Sequence, residues 1–408
     1  MRLINGISVP SDFPTFVPTI NINPDEGKLF VSCYELGYLL ILNSNGSPYF
    51  YKKSASRCWD FTIQPNGTMS YTIGRTSTTL DNNFEKIQSY KSIDYVTDHH
   101  EFRLLPNGNA LLIAEDTQPI DMNKLIDDGN PKANVIGNHI QEVDTSGNAV
   151  FEWQCWDHYS ILDAIHQNLR ASSINAVHMN AIDVDFDGNI LVSSRHLDEI
   201  TKINHSTGLI IWRLGGKNNQ FTFLNDTLGF NYQHDIRAVP GKPNHYTLLD
   251  NGNYHSPRFS RAVEYKLDTQ AMTAEKVWEY RPSPDVYTQW MGNVQRLENG
   301  NTIVGWAASN LPKVTEISPD GTILYQGDFS ANLTSYRVHR FQCDAKAIRP
   351  YLIIEKYPNT ITLLFNHFGV SNIEKYYIYA DTTENPTTRI DSTTNPYIHI
   401  AELRYIAQ

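Results

Sequence analysis

Three histidine-bearing phrases stand far apart in this 408-residue chain yet share a local pattern. They are Asp98-His99-His100, His178-Met179-Asn180 and Gln233-His234-Asp235. A further polar phrase, Ser193-Ser194-Arg195-His196, follows the second of them. Imidazole titrates near neutrality and can act as base, acid or nucleophile. A guanidinium presents a planar fork that matches the oxygens of an anionic group. These types suit group transfer: a histidine nitrogen attacks phosphorus or sulfur while His, Arg and Asn neutralise the charge that builds on the oxygens. The nearby aspartates fit an anion site if they orient the imidazoles from behind. Three imidazoles could also hold zinc, but the adjacent arginine would repel a cation, so no metal is expected. One such histidine alone is more often a hydrogen-bonded filler; three at equivalent positions favour function.

The equivalence comes from a repeat. His100-Glu101-Phe102-Arg103-Leu104-Leu105-Pro106-Asn107-Gly108-Asn109 precedes an apolar run. Echoes start at Trp59, His178, His234 and Gly292, the first and last without the histidine. Each is followed by a second hairpin, as at Asp144-Thr145-Ser146-Gly147 and Ser318-Pro319-Asp320-Gly321. Glycine accepts the positive φ that such turns need. Two hairpins in roughly 40 to 60 residues have the spacing of a propeller blade. Units fall near residues 16–52, 58–96, 98–155, 177–215, 233–280 and 291–329. The expected fold is all-β: a six-bladed β-propeller over 1–345, closed by 334–345 or by the N-terminal segment. Radial packing buries sheet faces that one sheet cannot hide alone. First strands line the channel, so His99 or His100, His178 and His234 should converge there; Gly292-Asn293 holds the same place in the last unit.

The rest of the chain sets bounds. A net charge of −11 disfavours a phosphate-tracking nucleic-acid binder. No apolar run approaches the ~20 residues of a membrane span. No signal peptide is visible at Met1, and a mature form would look the same. Cys33, Cys58, Cys155 and Cys343 lack metal-like spacing. Buried thiols are the simple reading, with Cys33–Cys58 the candidate disulfide in an exported protein. Residues 159–170 read as one short helix. His139, His158, His166, His205, His245, His255, His339, His367 and His399 fall in turns or outer strands, where surface or structural roles are expected. Arg261 reads as an outer-strand ion-pair residue, and Trp153, Trp212 and Trp278 as packing between blades. Loops 117–132 and 216–231 are the expected specificity loops. Residues 346–408 change character, with strand-like runs and a Thr/Asn/Pro-rich stretch. They resemble the start of a small fibronectin-III-like sandwich and stop short of its last strands.

The motifs also resemble a known family. His178-Met179-Asn180-Ala181-Ile182, Ser193-Ser194-Arg195-His196, Trp212-Arg213-Leu214-Gly215-Gly216, Gln233-His234-Asp235 and Asp250-Asn251-Gly252-Asn253 look like bacterial arylsulfate sulfotransferase, over roughly 95–330. That resemblance implies a six-bladed propeller that moves a sulfuryl group from a phenolic sulfate to a phenolic acceptor. It implies no cofactor, no nucleotide sulfate donor such as PAPS, and a transient sulfohistidine. His234 resembles the histidine that takes the sulfuryl group. His178, Asn180 and Arg195 resemble the residues that bind and polarise it. His100 resembles the remaining channel histidine, with His99 its alternative; Asn293 has no family residue to match. A periplasmic or secreted location is implied in the same way.

Two other readings stay open, since fold does not fix function. One is a propeller hydrolase or polysaccharide lyase acting on an anionic glycan. The other is a non-catalytic propeller that captures an anionic ligand. Oligomeric state and the natural donor and acceptor are unreadable from the residues.

Overall fold

The computed structural model describes residues 1–307 and 312–401. Among them there is no α-helix, only short 3-10 turns. The repeat folds as read. Cys58–Ile63, Met69–Ile73, Thr76–Leu80 and Lys86–Tyr90 form one antiparallel sheet in chain order. Val96–Leu104, Ala110–Ile120, Ala133–Val143 and Ala149–Gln154 form the next. Met179–Val184, Ile190–Ser194, Glu199–Ile203 and Ile210–Gly215 follow, and then His234–Ala238, His245–Asp250, Arg261–Asp268 and Thr273–Tyr280. The turn glycines Gly67 and Gly108 sit at φ 83° and 85°, the region their Asn-Gly turns demand.

Closure uses both ends of the chain. Asn293–Arg296, Thr302–Gly305, Val314–Ile317 and Ile323–Phe329 gain a fifth strand, Phe16–Asn21, on the outer edge. The remaining sheet has Val338–Phe341 as its innermost strand, beside Lys28–Cys33, Tyr38–Leu42 and Pro48–Lys53. Residues 16–21 therefore belong to the last sheet, not to the unit placed at 16–52. Innermost strands touch in sequence around a closed circuit, from Cys58–Ile63 through Asn293–Arg296 and back by way of the sheet of Val338–Phe341. The architecture is a β-propeller.

The core lies as wedges between sheets. Trp153 packs with Leu111, Ile182 and Ile190 across one boundary, Trp212 with Leu191, Ile236 and Tyr246 across the next. Trp278 flanks Leu249, Val294 and Trp306. Side-chain amides bridge sheets that share no strand ladder. Gln64 bonds Phe102 O and Leu104 N at 3.1 and 3.0 Å, and Gln295 bonds Arg340 O and N at 2.9 and 2.8 Å. Each satisfies a backbone pair that would otherwise be orphaned at a buried seam.

The expected helix at 159–170 is absent. Ser160 and Asp163 make a capping box and start a 3-10 turn at Ile161–Asp163. Ala164 then turns extended (ψ 131°) and His166 takes φ 60°, so no second turn forms. Cys33 and Cys58 are buried free thiols rather than a disulfide, and burial pushes both up to about 12. The tail forms a three-stranded sheet (Tyr351–Tyr357, Thr360–Asn366, Tyr397–Ala401) and a pair, Tyr376–Tyr379 with Arg389–Thr393. Phe368 packs on Phe50 and Tyr51 of the ring.

Candidate active site

The inner strands deliver the histidines to one place. The His100 and His178 rings lie 4.9 Å apart, edge to face. His178 stacks on His196 at 4.7 Å, and His99 lies between Trp59 (3.4 Å) and His100 (4.4 Å). His234 completes the group: burial, then the Arg195 charge and that of His100, hold it well below the usual imidazole range. His178 is lowered likewise by burial, then by His100, His196 and Arg195. His178 and His234 are therefore neutral at pH 7.

Hydrogen bonds assign their tautomers. Asn251 Nδ2 donates to Thr288 O (2.9 Å) and Met291 O (3.1 Å), so Asn251 Oδ1 faces His234 as an acceptor. His234 Nδ1–H donates to it at 2.7 Å, which leaves the lone pair on Nε2. The Met291 N–H reaches that lone pair through a long 3.2 Å bond. His100 Nδ1 pairs with Asp98 Oδ1 at 2.6 Å. Asp98 is buried, which raises its pKa, yet the His100 imidazole more than offsets this and holds it at about 2. His178 Nδ1 pairs with the Asn175 side-chain amide at 3.0 Å. No described residue bonds Nε2 of His100 or His178.

Backbone geometry is tight where these side chains are set. His178, Tyr232, Asp235 and Met291 all have φ between 53° and 63°, costly for non-glycine residues. Arg195 N bonds His178 O at 3.0 Å, which locks the arginine to the histidine strand.

Arg195 has an unusual set of partners. Its Nη1 donates to His196 Nε2 (2.9 Å) and its Nη2 to Gln289 O (3.1 Å). His196 gives its own Nδ1–H to Asn175 O at 2.7 Å, so it can only accept from the arginine. The guanidinium lies 4.0 Å over the Tyr232 ring, and its Nε is buried without a partner. Among the described residues no carboxylate pairs with Arg195. Burial lowers its pKa to about 10. The fully buried arginines differ: Arg337 pairs with Asp60, Glu101 and Asp235, and Arg261 with Asp226 and Asp250.

Above Arg195 a cleft of about 340 Å³ opens, lined by His166, Arg195, His196, Tyr232, Tyr254, Arg258 and Tyr287 among others. Neither 117–132 nor 216–231 lines it. Below, Tyr336 and Arg337 plug the axis. Tyr336 Oη donates to His100 O (2.8 Å), and Arg337 Nη2 to Asn180 O (3.1 Å).

Of the residues expected from sequence, His99, His100, His178, Arg195 and His234 meet. Asn180 is fully buried and gives its amide to Gln233 O at 2.7 Å, which braces the backbone just before His234. Asn293 spends both ends of its amide on Val338 N and O, each at 2.9 Å. Arg261 is an ion-pair residue as expected. His339 is not in a turn or outer strand as expected: it lies on an innermost strand and contacts Asp60 at 3.1 Å. His166 lines the cleft rather than a plain surface. His255 is buried on Asp250 at 2.7 Å, and His139 is fully buried in a third strand. Asp98, His99 and His100 each bring a ligand atom within 4.8 Å of the others, but His100 Nδ1 is already bound to Asp98.

The hub of this propeller sets His178 and His234, both neutral, near Arg195, a cation that no described carboxylate pairs with. The arylsulfotransferase (ASST) family model matches residues 32–341, most of the chain, and the chain belongs to that family. No match was found among curated proteins. A crystal structure of a protein of unknown function from Bacteroides caccae is similar at 12% identity, covering 78% of this chain and 99% of that one, with a TM-score of 0.50. Virginiamycin B lyase from Staphylococcus aureus shares 11% identity over 86% of this chain and 95% of its own, with a TM-score of 0.39.

Proposed function

We propose that this protein is an aryl sulfotransferase that works through a sulfohistidine on His234, without a nucleotide sulfate donor. The observation that carries the proposal is Arg195: a half-buried guanidinium that no described carboxylate pairs with, near a neutral histidine whose Nε2 lone pair is held only by the long Met291 N–H bond. Family membership supports the sulfuryl chemistry.

In the first half-reaction Nε2 of His234 attacks sulfur, an N–S bond forms and the S–O bond to the phenolate breaks. The electron pair leaves with the phenolate oxygen. His100, backed by Asp98, supplies its proton; a carboxylate behind an imidazole stabilises the charged form and fixes its tautomer. Arg195 and His178 hold the sulfuryl oxygens, where charge-assisted bonds are strongest. In the second half-reaction His100 takes the proton of the incoming phenol, whose oxygen attacks sulfur as the N–S bond breaks. Asn251 keeps the His234 tautomer, and Asn180 sets the backbone that carries it. General acid–base help of this kind contributes about 10²–10⁴-fold.

We further take the six sheets as six blades spanning 1–345, with 346–408 a small separate β-rich, fibronectin-III-like domain, and place the protein in the periplasm or outside the cell. His234→Asn is the direct test of the chemistry. It should abolish transfer from 4-nitrophenyl sulfate to a phenol, and unchanged turnover would remove the nucleophile.

A further inference from the structure

We propose that the cleft above Arg195 selects an aromatic substrate that carries a second anionic group, a carboxylate, held by Arg258. The proposal rests on the transferase reading for the phenol itself and goes beyond it in naming the substrate's other end. Four observations carry it. The cleft's walls are aromatic: Tyr232, Tyr254 and Tyr287 line it, with His166 stacked on Tyr254 at 3.4 Å. Its volume of about 340 Å³ suits a single substituted ring, at the low end of small-molecule sites.

Its charge is one-sided. Two arginines line it and no Asp or Glu does, in a chain of net charge −11. One arginine, Arg195, belongs to the sulfuryl group. The second, Arg258, has no carboxylate partner among the described residues and lies 5.8 Å from the Tyr287 ring. Asp198, behind His166 at 3.6 Å, is buried and accepts from Tyr232 N at 2.7 Å; burial raises its pKa to about 7, which weakens its charge beside this wall.

Arg258 also sits on an anchored loop. Gly252 N bonds Asp250, Tyr254 N bonds Asn231 Oδ1 at 2.9 Å, and His255 is tied to Asp250. Arg258 itself is exposed, three residues beyond these ties, and its guanidinium offers a bidentate fork to an oxyanion. A ring between the tyrosines with its phenol oxygen toward Arg195 would leave a substituent at its other end for Arg258, which lines the same cleft.

Calorimetric binding of 4-hydroxyphenylacetate and of 4-methylphenol tests this without turnover. The acid should bind at least tenfold more tightly than the neutral phenol. Arg258→Gln should bring the two affinities together, and Arg258→Lys should restore part of the difference. Equal affinities in the unaltered protein, or a preference that survives Arg258→Gln, would overturn the proposal. Because no sulfuryl group moves in this assay, a failed transferase reading and a failed carboxylate reading give different results.

Discussion

Replacing Arg195 with glutamine separates function from stability. The guanidinium is buried enough to lower its pKa from 12.5 to about 10. Every tenfold loss of proton affinity corresponds to about 1.36 kcal/mol, so keeping this cation charged in the folded state costs about 3 kcal/mol at pH 7. The sign follows from a folded-state pKa below the unfolded one: the charged form is the less favoured in the fold. Against that stand the bonds to His196 and Gln289, each from a charged donor and worth about 1.5 kcal/mol. The two sides nearly cancel. Arg195→Gln should therefore leave stability within about 1 kcal/mol, read by urea unfolding, because no carboxylate is orphaned. Transfer from 4-nitrophenyl sulfate should fall by about 10²–10³, the usual cost of losing one donor to a developing anion. A loss of more than about 3 kcal/mol would mean the arginine is structural. Retention of transfer within a few-fold would mean it does not touch the sulfuryl group.

Arg337→Met should behave in the opposite way. It takes one of two partners from each of Asp60, Glu101 and Asp235, leaving them only His339 and Arg237, so unfolding experiments should show a loss of about 3 kcal/mol. Asn251→Ala should lower kcat about tenfold with little change in KM, since His234 Nδ1 keeps only the 3.2 Å bond to Tyr232 O; steady-state kinetics check this. Acid should destabilise the fold early. His196 falls to about 4 and His99 to about 3, so the unfolded chain binds protons below about pH 6.5 that the folded one refuses. Each such imidazole removes up to about 1.4 kcal/mol per pH unit between its unfolded and folded pKa, measurable as a falling Tm below about pH 6.5. The lowered His234 also places the acid limb of kcat/KM well under the ordinary imidazole range.

Much of this was legible because the repeat writes itself in turns. A polar phrase running into a turn marks an inner strand, Pro-Asn-Gly after His100, Asp-Gly-Asn after His178 and Val-Pro-Gly after His234, and that placed the three histidines together. His339 escaped because Val338–Phe341 has no turn after it; it pairs with Lys28–Cys33, at the other end of the ring-forming sequence, and only ring closure reveals it. The plug made by Tyr336 and Arg337 escaped for the same reason. Asn180 looked like a substrate ligand by type, but its amide is spent on Gln233, a choice set by packing rather than composition. The role of Asn251 depends on which way its amide faces, which the carbonyls of Thr288 and Met291 decide. At 159–170 a genuine cap was present, and the backbone of Ala164 and His166 ended the turn it began.

Mass spectrometry of the protein mixed with an aryl sulfate and no acceptor is the most direct measurement. A sulfuryl adduct on the peptide bearing His234, discharged when a phenol is added, is the expected result. Stoichiometric phenol release with the adduct on another residue, or turnover with no adduct at all, would contradict it.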